Sequence, residues 1–144
     1  MKLQRLILAL CSCFVAAGIS GKIVFADAAK PASSSPTLHD VMTLVVDPAA
    51  NGVFQVASQA PKNDAEWKTL QSQALTLYEI SKTLTTPGRA KDQNQWAQYA
   101  KALQASSKTA FQAAMKKDVK ILSDLSDPLY MTCSDCHEKY IPKK

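Results

Sequence analysis

The chain has 144 residues, of which 47% are hydrophobic and 20% are charged, and its 17 Lys and Arg against 12 Asp and Glu give a formal net charge of +5. Three basic residues and no acidic residue lie within positions 1–26, so the remaining chain of about 118 residues has 14 basic and 12 acidic residues and a net charge of only +2. That balance excludes the strongly basic surface typical of nucleic-acid-binding domains, and the length suits one domain with one core.

The first 26 residues have the pattern of a secretory signal peptide. Lys2 and Arg5 precede an apolar run over residues 6–19, which is shorter than the roughly 20 residues that a membrane-spanning helix needs. Small residues follow and indicate cleavage after Ala26 or Ala28. We therefore expect an exported chain with a signal peptide over 1–26, a Pro/Ser/Ala-rich linker over residues 27–36 and no stable membrane span after processing. The alternative is a retained membrane anchor.

The first predicted helix begins at Thr37, which has capping-box spacing to Asp40. Apolar residues then recur at steps of three and four, as in an amphipathic helix. They are Leu38, Val41, Met42, Val45, Ala49, Val53, Val56 and Ala57. Pro48 lies within this pattern and is expected to kink or break the helix near Asp47. Pro61 ends the segment.

Two further amphipathic segments follow. The second begins at Asn63, which has capping-box spacing to Glu66, and it ends at the turn over residues 85–88. The third runs from about Asp92 to Lys117 and is rich in the good helix formers Ala, Gln and Lys. The inward-facing stripe of the second segment contains Trp67, Leu70, Ala74, Leu77, Ser81 and Leu84. The apolar side of the third contains Trp96, Tyr99, Leu103, Ala110, Ala114 and Met115.

The fourth segment begins after Asp118 and runs to Tyr140. Pro128 predicts an interruption, in which either a new helix starts with this proline as its first residue or one helix is kinked. Alternating strand-like runs are missing from the chain. The pattern therefore predicts an all-α fold, an antiparallel up-down-up-down four-helix bundle over residues 37–144. The alternative is a three-helix globule.

Cys133 and Cys136, followed directly by His137, form the Cys-x-x-Cys-His attachment motif of a c-type haem. On a helix, cysteines three residues apart lie on one face, so both sulfurs can form thioether bonds to one porphyrin. The histidine can then bind the iron as proximal ligand. Zinc and redox sites also use Cys-x-x-Cys, but the other cysteines, Cys11 and Cys13, lie in the predicted signal peptide. The motif predicts one covalent haem c per chain.

Because the motif lies on the last helix, with Tyr140 three residues after His137, the chain resembles the cytochrome c-prime superfamily and its low-spin relatives. More closely, it is similar to small periplasmic class II-type cytochromes c. The stretches that carry this closer similarity are residues 38–42, 46–49 and 87–90. The resemblance covers residues 37–140 and implies a four-helix bundle in the periplasm that exchanges electrons with redox partner proteins or, in five-coordinate members, binds NO or CO. Bundles of this family often pair, so a homodimer stays open.

Met42 is the favoured candidate for the sixth iron ligand. In an antiparallel bundle the end of the fourth helix lies beside the start of the first, which places Met42 and His137 at similar depths. A His/Met pair raises the reduction potential and suits electron transfer. Two alternatives stay open: Met42 packs against the porphyrin and leaves the iron five-coordinate, or His39, one turn earlier, completes a bis-histidine site. Met115 and Met131 are less favoured.

Two further residues are candidates for contact with the haem. Arg89 lies in a turn and is a candidate partner for a propionate, because its guanidinium favours bidentate carboxylate contacts; the alternative is a solvated loop arginine. Tyr140 is expected to pack beside His137 on the same helical face. The candidate aromatic walls, for which ordinary core packing is the alternative, are Trp67, Trp96, Tyr99 and Phe111.

The motif therefore predicts a periplasmic monohaem c-type cytochrome that carries one electron at a time. We assign no catalytic residue and expect no enzyme, because no phosphate-binding loop or hydrolase constellation is present. A five-coordinate binder of NO or CO is the first alternative. A haem-free helical adaptor with a redox or metal-binding cysteine pair is the second.

Overall fold

The structure is a computed structural model that describes residues 35–141, and within this range the chain forms helices and no strand. The all-α prediction is confirmed for this part of the chain. Among these helices, none combines the length and the apolar character that crossing a membrane requires. The predicted signal peptide and linker, apart from residues 35 and 36, lie outside the described residues.

Residues 38–57 form one continuous helical stretch with three hydrogen-bond patterns. Helix α1 (Leu38–Val41) begins with the predicted capping box, in which the Thr37 hydroxyl accepts from the Asp40 amide and the Asp40 carboxylate accepts from the Thr37 amide. A π-helical segment (Met42–Val46) follows, then helix α2 (Asp47–Phe54) and a final 3₁₀ turn (Gln55–Ala57). The structure therefore confirms the predicted helix start.

The chain stays helical through Pro48, so of the two predicted outcomes, a kink or a break, the break does not occur. Pro48 lies in the first turn of α2, where a missing N–H group costs little. Immediately before it, the Asp47 amide donates to the carbonyl of Met42, five residues back. This wider turn aligns Val41 with Val46 on the buried face. The sequence prediction used a uniform α-helical period and therefore placed Val45 on the buried face. In the structure Val46 occupies that position, so this part of the prediction is wrong.

Helices α3 (Asp64–Thr83) and α4 (Gln95–Met115) are the two longest elements of the described chain. The predicted cap of α3 is confirmed, since the Asn63 side chain accepts from the Glu66 amide at 3.0 Å. The connection after α3 contains Gly88 with φ +86°, a left-handed conformation that glycine adopts without strain. Helix α4 begins three residues later than predicted. Asp92 lies before the helix, and its carboxylate accepts from the amides of Asn94 and Trp96 at the helix start.

The predicted interruption of the last segment is confirmed and falls at Leu125. Helix α5 (Val119–Asp124) and helix α6 (Ser126–Tyr140) are separated by this single residue. Pro128 is the third residue of α6 rather than its first. It has no N–H group to donate to the carbonyl of Asp124, four residues back, which explains why the helix is interrupted here.

The core forms where α3 packs on α4, α2 packs on α3, and α6 packs on α4. Its most buried large side chains are Val53, Leu77, Leu122 and Leu129. Two serines are also buried, and their hydroxyls donate to carbonyls of their own helices: Ser81 to Tyr78, and Ser107 to Leu103. These small, satisfied side chains allow α3 and α4 to approach closely without leaving a polar atom unpaired.

Leu77→Ala is expected to destabilise the fold by about 2–5 kcal/mol, because the side chain is fully buried and its loss leaves a cavity. Leu75→Ala makes the same chemical change on the same helix at a residue that is 40% exposed, and it is expected to cost about 0.5 kcal/mol. Urea unfolding of both variants measures the difference. Equal losses would contradict the placement of Leu77 in the core.

Candidate functional site

One cavity brings the cysteine motif of α6 together with Met42. The π segment contributes Met42 and Val46 to its wall, and α6 contributes Cys133, Cys136 and His137. The rest of the wall consists of Leu84 after α3, Trp96, Tyr99, Ala100 and Leu103 of α4, and Thr132 of α6. The cavity is open to solvent, and the empty space within it and its mouth is about 430 Å³.

Cys133 and Cys136 lie on one face of α6 and both line the cavity, as their spacing predicts. Both thiols are half-buried and free. Burial raises the pKa of both thiols, and the neighbouring Cys133 raises the pKa of Cys136 further. The two sulfurs are therefore neutral thiols at neutral pH. Such thiols differ from the low-pKa cysteines of disulfide oxidoreductases.

His137 lies in the last turn of α6 and is exposed, with its side chain at the cavity. Its exposed position leaves the imidazole accessible to a group that occupies the cavity. Within residues 35–141, no cluster of three or more His, Cys, Asp and Glu side chains is arranged to hold a metal ion. A haem iron needs only axial ligands from the protein, because the porphyrin supplies the other four.

Of the methionines in the described chain, Met42 alone lines the cavity. Met115 and Met131 are 56% and 51% exposed, so their side chains face solvent. The placement of Met115 on the apolar side of the third helix was therefore wrong, because it lies at the last residue of α4, past the packed part of the helix. His39 is exposed and is not part of the cavity wall. The structure therefore brings His137 and Met42, but not His39, to one cavity.

The aromatic wall consists of Trp96 and Tyr99. Trp96 is 3% exposed, and its indole N–H donates to the carbonyl of Leu84 at 2.6 Å. This bond ties the start of α4 to the end of α3 at the cavity. Trp67 and Phe111, the other aromatic candidates, do not line it; they pack elsewhere in the core.

Tyr140 lies behind this wall rather than in it. Its ring packs edge-on against Trp96, with ring centres 5.0 Å apart, and against Tyr99 at 6.3 Å. Its hydroxyl donates to the Asp92 carboxylate, and this hydrogen bond raises the pKa of Tyr140 to about 12. Tyr140 therefore supports the cavity through two residues that line it.

Arg89 is not brought to the cavity wall. Its side chain is half-buried and donates to the hydroxyl of Thr83, at the end of α3. A contact between Arg89 and a haem propionate stays a prediction from the sequence.

The site prediction from the sequence does not include five of the residues that line the cavity: Val46, Leu84, Ala100, Leu103 and Thr132. Val46 reaches the wall because of the π turn. Pro48, two residues later, was the sequence signal that the hydrogen-bond pattern changes here. Leu84 and Leu103 belong to the predicted apolar stripes, and no sequence pattern distinguishes a core residue that also borders a cavity. Ala100 and Thr132 carry no site signal of their own.

The chain matches no protein-family model, no curated protein and no solved structure. The similarity to class II-type cytochromes c therefore rests on the sequence motifs alone.

Trp96→Phe is expected to destabilise the protein by about 1–3 kcal/mol more than Trp67→Phe, because it leaves the buried carbonyl of Leu84 without its donor. Both substitutions remove the same ring atoms from a buried tryptophan, and Trp96 is the one whose indole N–H donates to a buried carbonyl. Urea unfolding measures the two losses. Equal losses would contradict a structural role for the hydrogen bond.

Proposed function

We propose that this protein is a periplasmic monohaem c-type cytochrome that carries one electron at a time. The observation that carries the proposal is an apolar cavity whose wall includes Cys133, Cys136, His137 and Met42. When bound, the haem supplies the one-electron chemistry of its iron, which exchanges between two oxidation states. The residues around it hold the group, orient it and exclude water.

The donor set of the cavity fits a covalently attached haem. Cys133 and Cys136 are free and half-buried on one helical face, so their sulfurs are available for two thioether bonds to one porphyrin. His137, the next residue in the chain, would hold the iron from the same helix. Covalent attachment prevents loss of the group, which suits a protein exposed to the dilute periplasm.

Met42 would complete the iron site from the other helical stretch. Its thioether is a soft, neutral ligand that favours the reduced iron and raises the reduction potential. The half-buried position of Met42 on the cavity wall supports this role. Trp96, Val46 and Leu103 cover the cavity with apolar atoms, and an apolar shell that limits solvent access also tunes the potential.

We further propose that the helices form an antiparallel up-down-up-down bundle. Four helical stretches support it: residues 38–57, α3, α4, and α5 with α6. Contacts link α2 with α3, α3 with α4, and α4 with α6, and residues 58–63 and 84–94 form short connections. Such a bundle would provide a rigid frame that rearranges little between redox states.

The periplasmic location rests on the predicted signal peptide and on the chemistry of the site. Haem is attached to Cys-x-x-Cys-His motifs outside the bacterial cytoplasm, so export is a requirement of the proposal. The redox partners would be other periplasmic proteins. We expect no catalytic residue, because an electron carrier needs only to hold its haem near the protein surface.

The test is the covalent haem content of the exported chain. The full chain is produced in a bacterial host that expresses a cytochrome c maturation system, and the product is examined by haem staining after denaturing electrophoresis and by intact mass. We expect a coloured band and a mass increase of one haem on a chain processed near Ala26. The chain without residues 1–26, produced in the cytoplasm, is the control and should stay colourless.

A colourless exported product with the mass of the bare polypeptide would overturn the proposal. If Cys133 and Cys136 of that product formed a reversible disulfide, the helical adaptor with a redox cysteine pair would replace it. Alkylation of the thiols before and after reduction, followed by mass measurement, distinguishes that outcome.

A further inference from the structure

One carboxylate joins the last turn of α6 to the first turn of α4. Asp92 lies in the connection between α3 and α4, and its Oδ1 accepts from the amides of Asn94 at 2.9 Å and Trp96 at 3.1 Å. Its Oδ2 accepts from the hydroxyl of Tyr140, which lies 48 residues away in the chain. The two oxygens therefore bind two different helix ends.

These two helix ends carry much of the cavity wall. His137 is three residues before Tyr140, so both lie on neighbouring positions of one face of α6. Trp96 and Tyr99, in the first turns of α4, line the cavity and also pack against the ring of Tyr140. A change at Asp92 would therefore reach His137 through the last turn of α6.

We propose that Asp92 is a positioning residue for the His137 imidazole, acting through the hydroxyl of Tyr140. This inference rests on the proposed function, because it concerns the orientation of the proximal iron ligand. The hydrogen bond anchors the final turn of α6, because the last turn of a helix frays when nothing holds it. A fixed turn holds the imidazole in one orientation toward the cavity.

A helix cap alone does not account for the arrangement. Capping α4 uses only Oδ1 of Asp92, whereas Oδ2 makes the long-range contact with Tyr140. The hydrogen bond from Tyr140 is the main cause that lowers the pKa of Asp92, and the same bond raises the pKa of Tyr140. The acceptor therefore stays ionised and the donor stays protonated at neutral pH.

Tyr140→Phe is the decisive variant, because it removes the hydroxyl and keeps the ring that packs on Trp96 and Tyr99. Tyr130→Phe is the matched control: Tyr130 lies on the same helix and is 58% exposed. Asp92→Ala removes both contacts of the carboxylate, and Asp92→Asn keeps an oxygen for the α4 amides while removing the charge. All four are prepared as haem-bearing protein, and their reduction potentials and optical spectra are compared with those of the parent.

A positioning role of Asp92 and a simple charge effect of Asp92 predict opposite shifts of the reduction potential in Tyr140→Phe. If the imidazole loses its fixed orientation, its bond to the iron weakens and the oxidised state loses more stabilisation, so the potential shifts upward. If Asp92 acted only as a nearby negative charge, removing the hydrogen bond would leave that charge less compensated, stabilise the oxidised iron and shift the potential downward. We expect an upward shift together with a partial loss of the low-spin bands.

Asp92→Ala is expected to reproduce the spectral change of Tyr140→Phe, and Asp92→Asn to show less of it because its amide N–H group can donate to the Tyr140 hydroxyl. Tyr130→Phe should match the parent. If Asp92→Ala does not fold, Tyr140→Phe decides alone. An unchanged or downward-shifted potential in Tyr140→Phe overturns the inference, while a parent without covalent haem overturns the proposed function and this inference with it.

Discussion

Replacement of both Cys133 and Cys136 with serine is expected to abolish covalent haem attachment. Serine preserves the size of each side chain, but its hydroxyl does not form the thioether bond. The double variant should give no band on haem staining and the mass of the bare processed polypeptide. Cys133 and Cys136 lie on one face of α6, so each single variant keeps one cysteine at the cavity. Each should therefore retain haem through one thioether, at a reduced yield.

The chain contains a matched control for this experiment. Cys11 and Cys13 are the other two cysteines, and both lie in the predicted signal peptide. A double serine variant of Cys11 and Cys13 should leave the haem content of the exported protein unchanged. Covalent haem in the Cys133→Ser/Cys136→Ser variant would contradict the assignment of these two residues.

Met42→Ala is expected to convert a low-spin iron into a high-spin iron and to lower the reduction potential. In the proposed site the thioether of Met42 would stabilise the reduced iron, and axial ligands set haem potentials over a range of about 0.8 V. The shift should therefore be far larger than that of a surface substitution. Optical spectra in both oxidation states and a redox titration measure it, and added carbon monoxide should bind the variant faster than the parent.

Met131→Ala is the control for Met42→Ala, because Met131 is 51% exposed on α6 and does not line the cavity. Its spectrum and potential should match those of the parent. If Met42→Ala also matched the parent, the His/Met site would be wrong. A high-spin parent that binds carbon monoxide readily would then favour the five-coordinate alternative, and a change on His39→Ala would favour the bis-histidine one.

Local signals predicted most helix boundaries of this protein. The capping pairs at Thr37 and Asn63 mark the starts of α1 and α3, and Pro128 marks the interruption between α5 and α6. Each of these signals acts within about four residues, through one hydrogen bond that is made or one N–H group that is missing. They are therefore readable without knowledge of the neighbouring helices.

The first helical stretch shows where this local reasoning fails. A period of 3.6 residues placed Val45 on the buried face, but the π turn before Pro48 places Val46 there, and Val46 lines the cavity. A proline within a helical pattern indicates that the hydrogen-bond ladder must change. Whether the helix then breaks or adopts a π turn depends on which residues the adjacent helices can bury.

The sequence by itself determined the all-helical character of the described chain and the face shared by Cys133 and Cys136, because helix periodicity relates residues only a few positions apart. Only the tertiary structure decided that Met42 joins them at one cavity, that Arg89 bonds to Thr83 and is not part of the cavity wall, and that Asp92 binds Tyr140. These relations join residues separated by tens of positions. They depend on how the helices pack, and no local pattern encodes that packing.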